Sequence, residues 1–281
     1  MVKHRTSIEF PPDLWRELTV KVGERKKSKF IIDAIKDKLS KESLKALILC
    51  GGPGTSMRPL TLSMPKAMLP VGYKPLLERN VDFLKTHGIN NFVFAIGYLG
   101  EQIIKYFGDG SLHGVRIQYS PEKEELGTAG AIKNADKLIN STFITMFCDT
   151  VFFGLDVKDV LQFHKDKQAL ATVVMWRTND ARKFGSVVAD KDGAVREFVE
   201  KPKHAAAGWI NTGFFVFEPE IFNLIRGRGR VISLEEDIIP ILMERKKLFA
   251  YKHNGYWADV GNPKDYEKVN KDFLNDKIFS K

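Results

Sequence analysis

Cysteine is scarce in this 281-residue chain, which contains two, Cys50 and Cys148. Both stand in short apolar runs typical of buried strands, so the sequence predicts two buried free thiols. Two residues of this kind do not make the disulfide framework of a small secreted domain or a structural zinc cluster. We therefore assign no chemistry to either thiol.

Long hydrophobic runs are also absent. No stretch approaches the roughly eighteen apolar residues that a membrane-spanning helix needs. The first residues lead into polar sequence without the apolar core of a signal peptide. With 43% hydrophobic residues, the chain can still bury a large core. These features predict a soluble, cytoplasmic protein without a membrane partner.

The charge of the chain is positive and unevenly spread. The formal net charge is +9, and residues 1–43 contribute +4 of it through eleven Lys and Arg against seven Asp and Glu. A positive excess suits acidic partners such as nucleotides or nucleic acid, but it is also compatible with a merely soluble surface. The distribution predicts a separate N-terminal unit, residues 1–43, ahead of a large domain, residues 44–281.

The N-terminal unit has the pattern of a strand followed by two helices. Residues 5–10 alternate between apolar and polar side chains before two prolines, which predicts a short strand. Apolar residues then recur at helical spacing from Pro12 until Gly23, and Ser28 is placed to cap a second helix. So short a unit rarely closes its own core, so we expect a homodimer or higher homo-oligomer.

This pattern, over residues 3–41, resembles the ribbon-helix-helix family of DNA-binding proteins, whose paired strands enter the major groove. The resemblance implies a double-stranded DNA operator as partner. The residues that would bind it are Arg5, Ser7 and Glu9, facing base edges, and Ser28 and Lys29, holding a backbone phosphate. The alternative is a dimerisation arm, or a segment packed on the main domain, whose lysines form an ordinary solvated face.

From about Leu44 onward, apolar strand-like runs alternate with helical patterns. Such runs include residues 91–96, 143–148 and 171–176. This alternation predicts an α/β fold, a Rossmann-like α/β/α sandwich with a largely parallel sheet. Ligands in such folds bind at the carboxyl ends of the strands.

A glycine-rich turn follows the first of these runs, residues 45–50. Glycines let backbone amides approach a bulky anion, and neighbouring hydroxyl, guanidinium and ammonium groups add donors for phosphate. A glycine-rich turn alone also fits an ordinary tight turn after a strand. The candidate phosphate-binding residues are Gly51, Gly52, Gly54, Thr55, Ser56, Arg58 and Lys66.

Two acids are placed to bind a cation. Asp149 ends an apolar strand, where a lone carboxylate is costly unless it binds a cation or caps a helix. Asp259 stands beside a second tight turn. Two such carboxylates can hold Mg²⁺, which bridges phosphate oxygens and neutralises their charge. A helix cap is the alternative interpretation of Asp149.

The large domain is similar to the sugar-phosphate nucleotidyltransferases, also called nucleoside-diphosphate-sugar pyrophosphorylases. The shared motifs are GGPGTSMRPLT at residues 51–61, PKAMLP at 65–70, KPLLE at 74–78, GTAGA at 127–131, CD at 148–149, EKP at 200–202, NTG at 211–213 and WADVGNP at 257–263. The resemblance implies the nucleotide-diphospho-sugar transferase fold. By motif position it also implies binding of nucleotide by Gly51, Gly52, Gly54, Thr55 and Gly127, of sugar phosphate by Glu200, Lys201 and Asn211, and of metal by Asp149 and Asp259, with Lys66, Arg58 and Ser56 in the catalytic loop.

Four positions depart from the family pattern: Ser56 replaces the loop arginine, Ala67 the second proline of PKP, Cys148 the glycine before the metal aspartate, and Phe184 a tyrosine. In the family the loop arginine grips the triphosphate. Removal of one preorganised donor from an active site costs about 10²–10³ in rate. The substitution at residue 56 therefore predicts weak or no catalysis with nucleotide binding preserved.

Three functions fit the combination of a DNA-binding pattern with an altered nucleotide site. The favoured hypothesis is a transcriptional regulator whose large domain binds a nucleotide or nucleotide sugar. The second is an active enzyme that converts a nucleoside triphosphate and a sugar-1-phosphate into a nucleotide sugar and pyrophosphate, with an oligomerisation or autoregulatory N-terminal unit. The third is a non-catalytic partner of an active paralogue.

Overall fold

The structure is a computed structural model that describes residues 7–23, 26–41, 44–204, 207–226 and 231–275. The chain divides into two compact units, Met1–Ser43 and Leu44–Lys281.

Two helices form the described part of the N-terminal unit. Helix α1 spans Pro12–Val22 and helix α2 spans Lys27–Lys41. Gly23, with φ of 77°, ends α1 in a conformation that favours glycine. The ammonium group of Lys27 lies 4.1 Å from the centre of the Trp15 ring, a cation–π contact that ties the start of α2 to α1.

Residues 7–10, the described part of the predicted N-terminal strand, form no strand, and the ribbon-helix-helix domain is not supported. Ser7 and Glu9 lie in exposed, irregular chain ahead of α1, and Arg5 lies outside the described residues. A strand needs the hydrogen bonds of a neighbouring strand, which an alternating pattern in the sequence does not itself supply. Ser28 lies inside the first turn of α2 rather than before it, so it does not cap that helix, and both Ser28 and Lys29 are exposed.

In the described residues of the large unit, a nine-stranded mixed sheet forms the framework. The order of its strands, whose ranges follow, is β10-β9-β11-β6-β1-β4-β5, and β8 pairs with both β11 and β12. The strands of the unit are β1 (Lys45–Cys50), β2 (Pro70–Val71), β3 (Lys74–Pro75), β4 (Asn91–Ile96), β5 (Arg116–Pro121), β6 (Phe143–Phe147), β7 (Thr150–Phe153), β8 (Ala171–Thr178), β9 (Gly185–Ala189), β10 (Val195–Glu200), β11 (Gly208–Phe217), β12 (Leu248–His253) and β13 (Tyr256–Asp259).

Helices cover both faces of this sheet. Along β1, Ala46, Ile48 and Cys50 join one buried cluster while Leu47 joins the other, because successive side chains of a strand point to opposite faces. The helices of the large unit are α3 (Leu76–Thr86), α4 (Gly100–Phe107), α5 (Gly127–Asn134), α6 (Val157–Asp166), α7 (Ile239–Glu244) and α8 (Pro263–Leu274). The predicted Rossmann-like α/β/α sandwich is confirmed. Within the described ranges, no helix is long and apolar enough to cross a membrane.

The sheet is less parallel than the sequence pattern predicts. Strands β6, β1, β4 and β5 are parallel neighbours, but β11 runs antiparallel to β6, β8 and β9. Between β8 and β11 the chain forms β9 and β10, antiparallel neighbours joined by the short turn of residues 190–194, whereas parallel strands need a long crossover. The parallel half places the ends of β1 and β6 side by side.

Candidate active site

The glycine-rich turn begins where β1 ends and is held by its own hydrogen bonds. Gly54 has φ of 58°, which glycine adopts without strain. Its carbonyl accepts hydrogen bonds from the Thr61 hydroxyl at 2.7 Å and from the Met57 amide at 3.0 Å. The carbonyl of Gly51 accepts the Tyr98 amide at 3.0 Å. These bonds hold the turn at both ends, so its backbone is ordered before any ligand arrives.

A cavity of about 660 Å³ lies beside this turn at the carboxyl ends of β1 and β6. Its volume is in the usual range for small-molecule sites, and its position is where α/β folds bind ligands. A larger cavity of about 980 Å³ lies at the amino ends of β6 and β8, away from the predicted residues. The predicted residues that line the first cavity are Gly51, Gly52, Gly54, Lys66, Gly127 and Asp149.

The two predicted metal ligands are brought together by a short ribbon. Asp149 stands between β6 and β7, and Asp259 is the last residue of β13. Strands β7 and β13 pair antiparallel with Asp259 opposite Thr150, and the Val260 amide donates to the Asp149 carbonyl at 2.8 Å. This pairing places Asp259 next to Asp149 although the two lie far apart in the sequence.

Electrostatics in this pair follow from burial and like charge. Burial, reinforced by the charge of Asp149, raises the pKa of Asp259 to about 7. The ammonium nitrogen of Lys66 lies 2.6 Å from Oδ2 of Asp149. Burial lowers the pKa of Lys66, but the carboxylates of Asp149 and Asp259 outweigh it and hold that pKa above its ordinary value. The three side chains therefore form one coupled group of charges.

This arrangement fits a divalent cation that also binds phosphate. Two crowded carboxylates repel each other, and a cation between them would relieve that repulsion. Among the described residues, no group of three or more His, Cys, Asp and Glu could hold a metal ion by itself. Mg²⁺ is commonly bound by one or two carboxylates together with water and phosphate oxygens, so Asp149 and Asp259 are the residues that could hold it.

The predicted sugar-phosphate residues lie outside the walls of the cavity. Glu200 is the last residue of β10, and the ammonium nitrogen of Lys201 lies 3.5 Å from Oε1 of Glu200. Burial, followed by the charge of Glu235, raises the pKa of Glu200. Asn211 lies in β11, where its side-chain oxygen accepts the Gly213 amide at 2.8 Å. The structure gives each of these residues a fixed position without bringing them to the glycine turn.

Three predicted loop residues are exposed: Thr55, Ser56 and Arg58. They do not line the cavity. The Ser56 hydroxyl instead donates to the Gly261 carbonyl at 2.6 Å. The residue that replaces the loop arginine thus contacts the turn that follows Asp259.

Most of this chain matches one family of known proteins. The Nucleotidyl transferase family matches residues 45–276. The chain belongs to the Nucleotidyl transferase family.

Two curated relatives of this family member are named for the same activity. A protein named mannose-1-phosphate guanyltransferase from Pichia angusta is 37% identical over 233 residues, which cover 79% of this chain and 62% of that protein. One named mannose-1-phosphate guanylyltransferase from Mycobacterium tuberculosis is 36% identical, covering 82% and 64%. The chain thus spans a little under two thirds of the length of these relatives.

Two solved structures share the fold of the large unit. The crystal structure of HddC from Yersinia pseudotuberculosis is 29% identical with a TM-score of 0.71, covering 82% of this chain and all of HddC. A second HddC structure, complexed with GMP-PN, is 28% identical with a TM-score of 0.69 and the same coverage.

The expectation of a DNA-binding transcriptional regulator is wrong. Relatives at 35–37% identity over about four fifths of this nucleotidyl transferase chain are named as mannose-1-phosphate guanyltransferases. They favour the alternative hypothesis, an active nucleotidyltransferase. The error came from giving one loop substitution and a short N-terminal pattern more weight than the family motifs that fill the large domain.

Sequence reasoning missed Glu122, which lines the cavity of this nucleotidyl transferase. Its carboxylate packs so closely against Gly51 that a Cβ at that glycine would lie 2.7 Å from Glu122 Oε1. Burial raises the pKa of Glu122 to about 7, and the nearby charge of Glu125 adds to this rise. The acidic run of residues 122–125, directly before the motif at Gly127, is the signal that could have identified it.

Proposed function

We propose that this chain transfers a guanylyl group from GTP to a hexose-1-phosphate, with mannose-1-phosphate as the first candidate. A phosphate oxygen of the sugar attacks the α-phosphorus of GTP, the bond from that phosphorus to the bridging oxygen breaks, and pyrophosphate leaves. The observation that carries the proposal is the convergence of the glycine turn, Lys66 and Asp149 on one cavity, with Asp259 beside it. The names of the relatives support the choice of base and sugar.

Catalysis of such a transfer requires positioning and neutralisation of charge rather than proton transfer. The amides of the glycine turn would hold the triphosphate, and Lys66 would donate to its oxygens. Asp149 and Asp259 would hold Mg²⁺, which supplies positive charge to the reacting phosphates when bound. Glu200, Lys201 and Asn211 are the candidates for binding the sugar phosphate.

Glu122 is the candidate for recognition of guanine. The edge of guanine presents two adjacent donors, N1–H and the N2 amino group, and an ionised carboxylate offers two acceptors side by side. At the positions that correspond to these two guanine donors, adenine, cytosine and uracil each present at least one acceptor. A carboxylate in the wall of the cavity therefore favours GTP over the other nucleoside triphosphates.

The N-terminal unit would serve self-association. Apolar side chains of this unit remain exposed, with Leu14 at 47%, Trp15 at 43% and Phe30 at 49%. Several exposed apolar side chains in so short a unit are typical of an interaction surface, and a second copy of the chain would cover them. Light scattering on the full chain tests this, because a monomer at micromolar concentration would contradict it.

An assay of pyrophosphate release tests the proposed reaction. We expect turnover with GTP, mannose-1-phosphate and Mg²⁺, and little with ATP, UTP or CTP. Because the cation needs both carboxylates, Asp149→Asn and Asp259→Asn should each lower the rate by about 10²-fold or more. The matched control is Asp192→Asn, which removes an exposed carboxylate from a turn between β9 and β10.

The outcomes are distinct. Binding of GTP without turnover by the unaltered protein would contradict the proposal and return the non-catalytic partner as the better hypothesis. Equal rates for Asp259→Asn and Asp192→Asn would show that the carboxylate pair has no part in the reaction.

A further inference from the structure

One hydrogen bond joins two parts of the site that are remote in the sequence. The Ser56 hydroxyl, in the turn of helix at Thr55–Met57, donates to the Gly261 carbonyl at 2.6 Å. At this position the family pattern has an arginine, whose long side chain reaches phosphate. A serine side chain is too short for that reach, and here its hydroxyl is used for a different contact.

The partner of this bond touches the second carboxylate. The backbone of Gly261 lies directly against the side chain of Asp259. A Cβ at Gly261 would collide with Oδ2 of Asp259, so the backbone passes directly against that carboxylate. Gly261 therefore packs against Asp259, and its carbonyl accepts a hydrogen bond from Ser56.

The rest of the turn is anchored by two further contacts. The Val260 amide donates to the Asp149 carbonyl at 2.8 Å. Asn262 caps α8 by accepting the Asp265 amide at 3.1 Å. These bonds hold the turn from the ribbon and from α8, whereas Ser56 holds it from the phosphate-binding loop.

We propose that Ser56 is a positioning residue that links the phosphate-binding loop to the Asp259 turn and so fixes the spacing of the two metal-binding carboxylates. This rests on the proposed function in one respect, that Asp149 and Asp259 bind a divalent cation. Removal of the hydroxyl frees the Gly261 carbonyl and loosens the geometry of Asp259. The consequence is weaker binding of the cation, while the glycine turn and its contacts to nucleotide remain.

The test compares three variants of the full chain. Ser56→Ala removes the donor, Ser56→Thr retains a hydroxyl at the same position, and Ser63→Ala removes an exposed hydroxyl from the same segment. Ser63 is a suitable control because it contacts Gln102 through its backbone carbonyl. The probe is Mn²⁺, whose free concentration is measured by electron paramagnetic resonance with GTP present.

We expect Ser56→Ala to raise the Kd for Mn²⁺ about 5–10-fold, which corresponds to the net free-energy contribution of one hydrogen bond. Ser56→Thr should restore binding to within about twofold, and Ser63→Ala should leave it unchanged. In the metal-free protein, amide exchange at Val260 and Gly261 should be faster in Ser56→Ala. In the rate assay the Mg²⁺ concentration for half-maximal rate should rise, with kcat recovering at saturating Mg²⁺.

Equal Mn²⁺ affinity of Ser56→Ala and the unaltered protein would overturn the positioning role, whatever the turnover. Absence of Mn²⁺ binding by the unaltered protein would overturn it as well. A gain of about 10²-fold in kcat in Ser56→Arg would also refute it, since that would show that a missing cation and not a structural link governs the position. Weaker Mn²⁺ binding in Ser56→Ala without turnover in any variant would support the link and refute the proposed function.

Discussion

Replacement of Glu122 by Gln should make the free protein more stable at alkaline pH. Burial raises the pKa of this carboxyl from its ordinary 4.5 to about 7. As the pH rises above 4.5, the unfolded chain releases this proton first, so the folded state becomes less favourable until the pH passes 7. Glutamine keeps the shape of the side chain and has no charge to bury.

The size of the expected change in the free energy of unfolding follows from the folded and unfolded pKa values of Glu122. If the whole pKa shift is converted at about 1.4 kcal/mol per pKa unit, the free energy of unfolding changes by roughly 3 kcal/mol for a fully buried group. Glu122 is partly exposed, and solvent screening reduces this to about 1–2 kcal/mol in the free energy of unfolding at pH 8. The stability advantage of Glu122→Gln should be smaller at pH 5, because there the Glu122 carboxyl of the folded protein already carries the proton.

Urea denaturation of the unaltered protein and Glu122→Gln, at pH 5 and pH 8, measures this difference. Exposed Glu124→Gln serves as the control and should change stability little at either pH. The reasoning fails if the gain in Glu122→Gln is the same at both values. The stability gain should be accompanied by weaker GTP binding, because the amide group of glutamine would face a donor of guanine.

Two further substitutions test the glycine-rich turn and one buried histidine. Gly54→Ala should lower the free energy of unfolding by about 1–3 kcal/mol, because a Cβ at φ of 58° would also lie 3.1 Å from side-chain carbons of Lys66 and Thr61; Gly52→Ala, whose Cβ would meet open space, should leave stability unchanged in the same denaturation assay. Burial lowers the pKa of His253, so the unfolded chain takes up a proton first as the pH falls below 6.5 and stability falls with it. His253→Gln should reduce the loss of stability between pH 7 and pH 5, and an unchanged loss would contradict this cause.

Local pattern predicted much of the fold. The helix that begins at Pro12 and ends before Gly23 needs no tertiary information, since apolar spacing and a terminal glycine define it. The strand of residues 45–50 and the α/β rhythm after it are equally local signals. The prediction of a strand was wrong for residues 7–10 for the opposite reason. An alternating pattern indicates a possible strand, but a strand forms only when it is hydrogen-bonded to a neighbour.

The arrangement of the site depends on contacts between remote residues. Sequence motifs named Asp149 and Asp259, but their adjacency comes from the pairing of β7 with β13, which periodicity does not predict. The Ser56–Gly261 bond is of the same kind. Burial of the Glu122 carboxyl also arises from packing against a distant glycine, so the sequence showed an acidic run without distinguishing its buried member.

The ribbon of β7 and β13 also sets the order in which the site is completed during synthesis. The glycine turn, Lys66 and Asp149 leave the ribosome well before β13, and the ribbon closes when residues 256–259 pair with it. A chain that ends before residue 256 therefore lacks the strand that places the second carboxylate beside the first. Under the proposed mechanism such a chain would have an incomplete cation site.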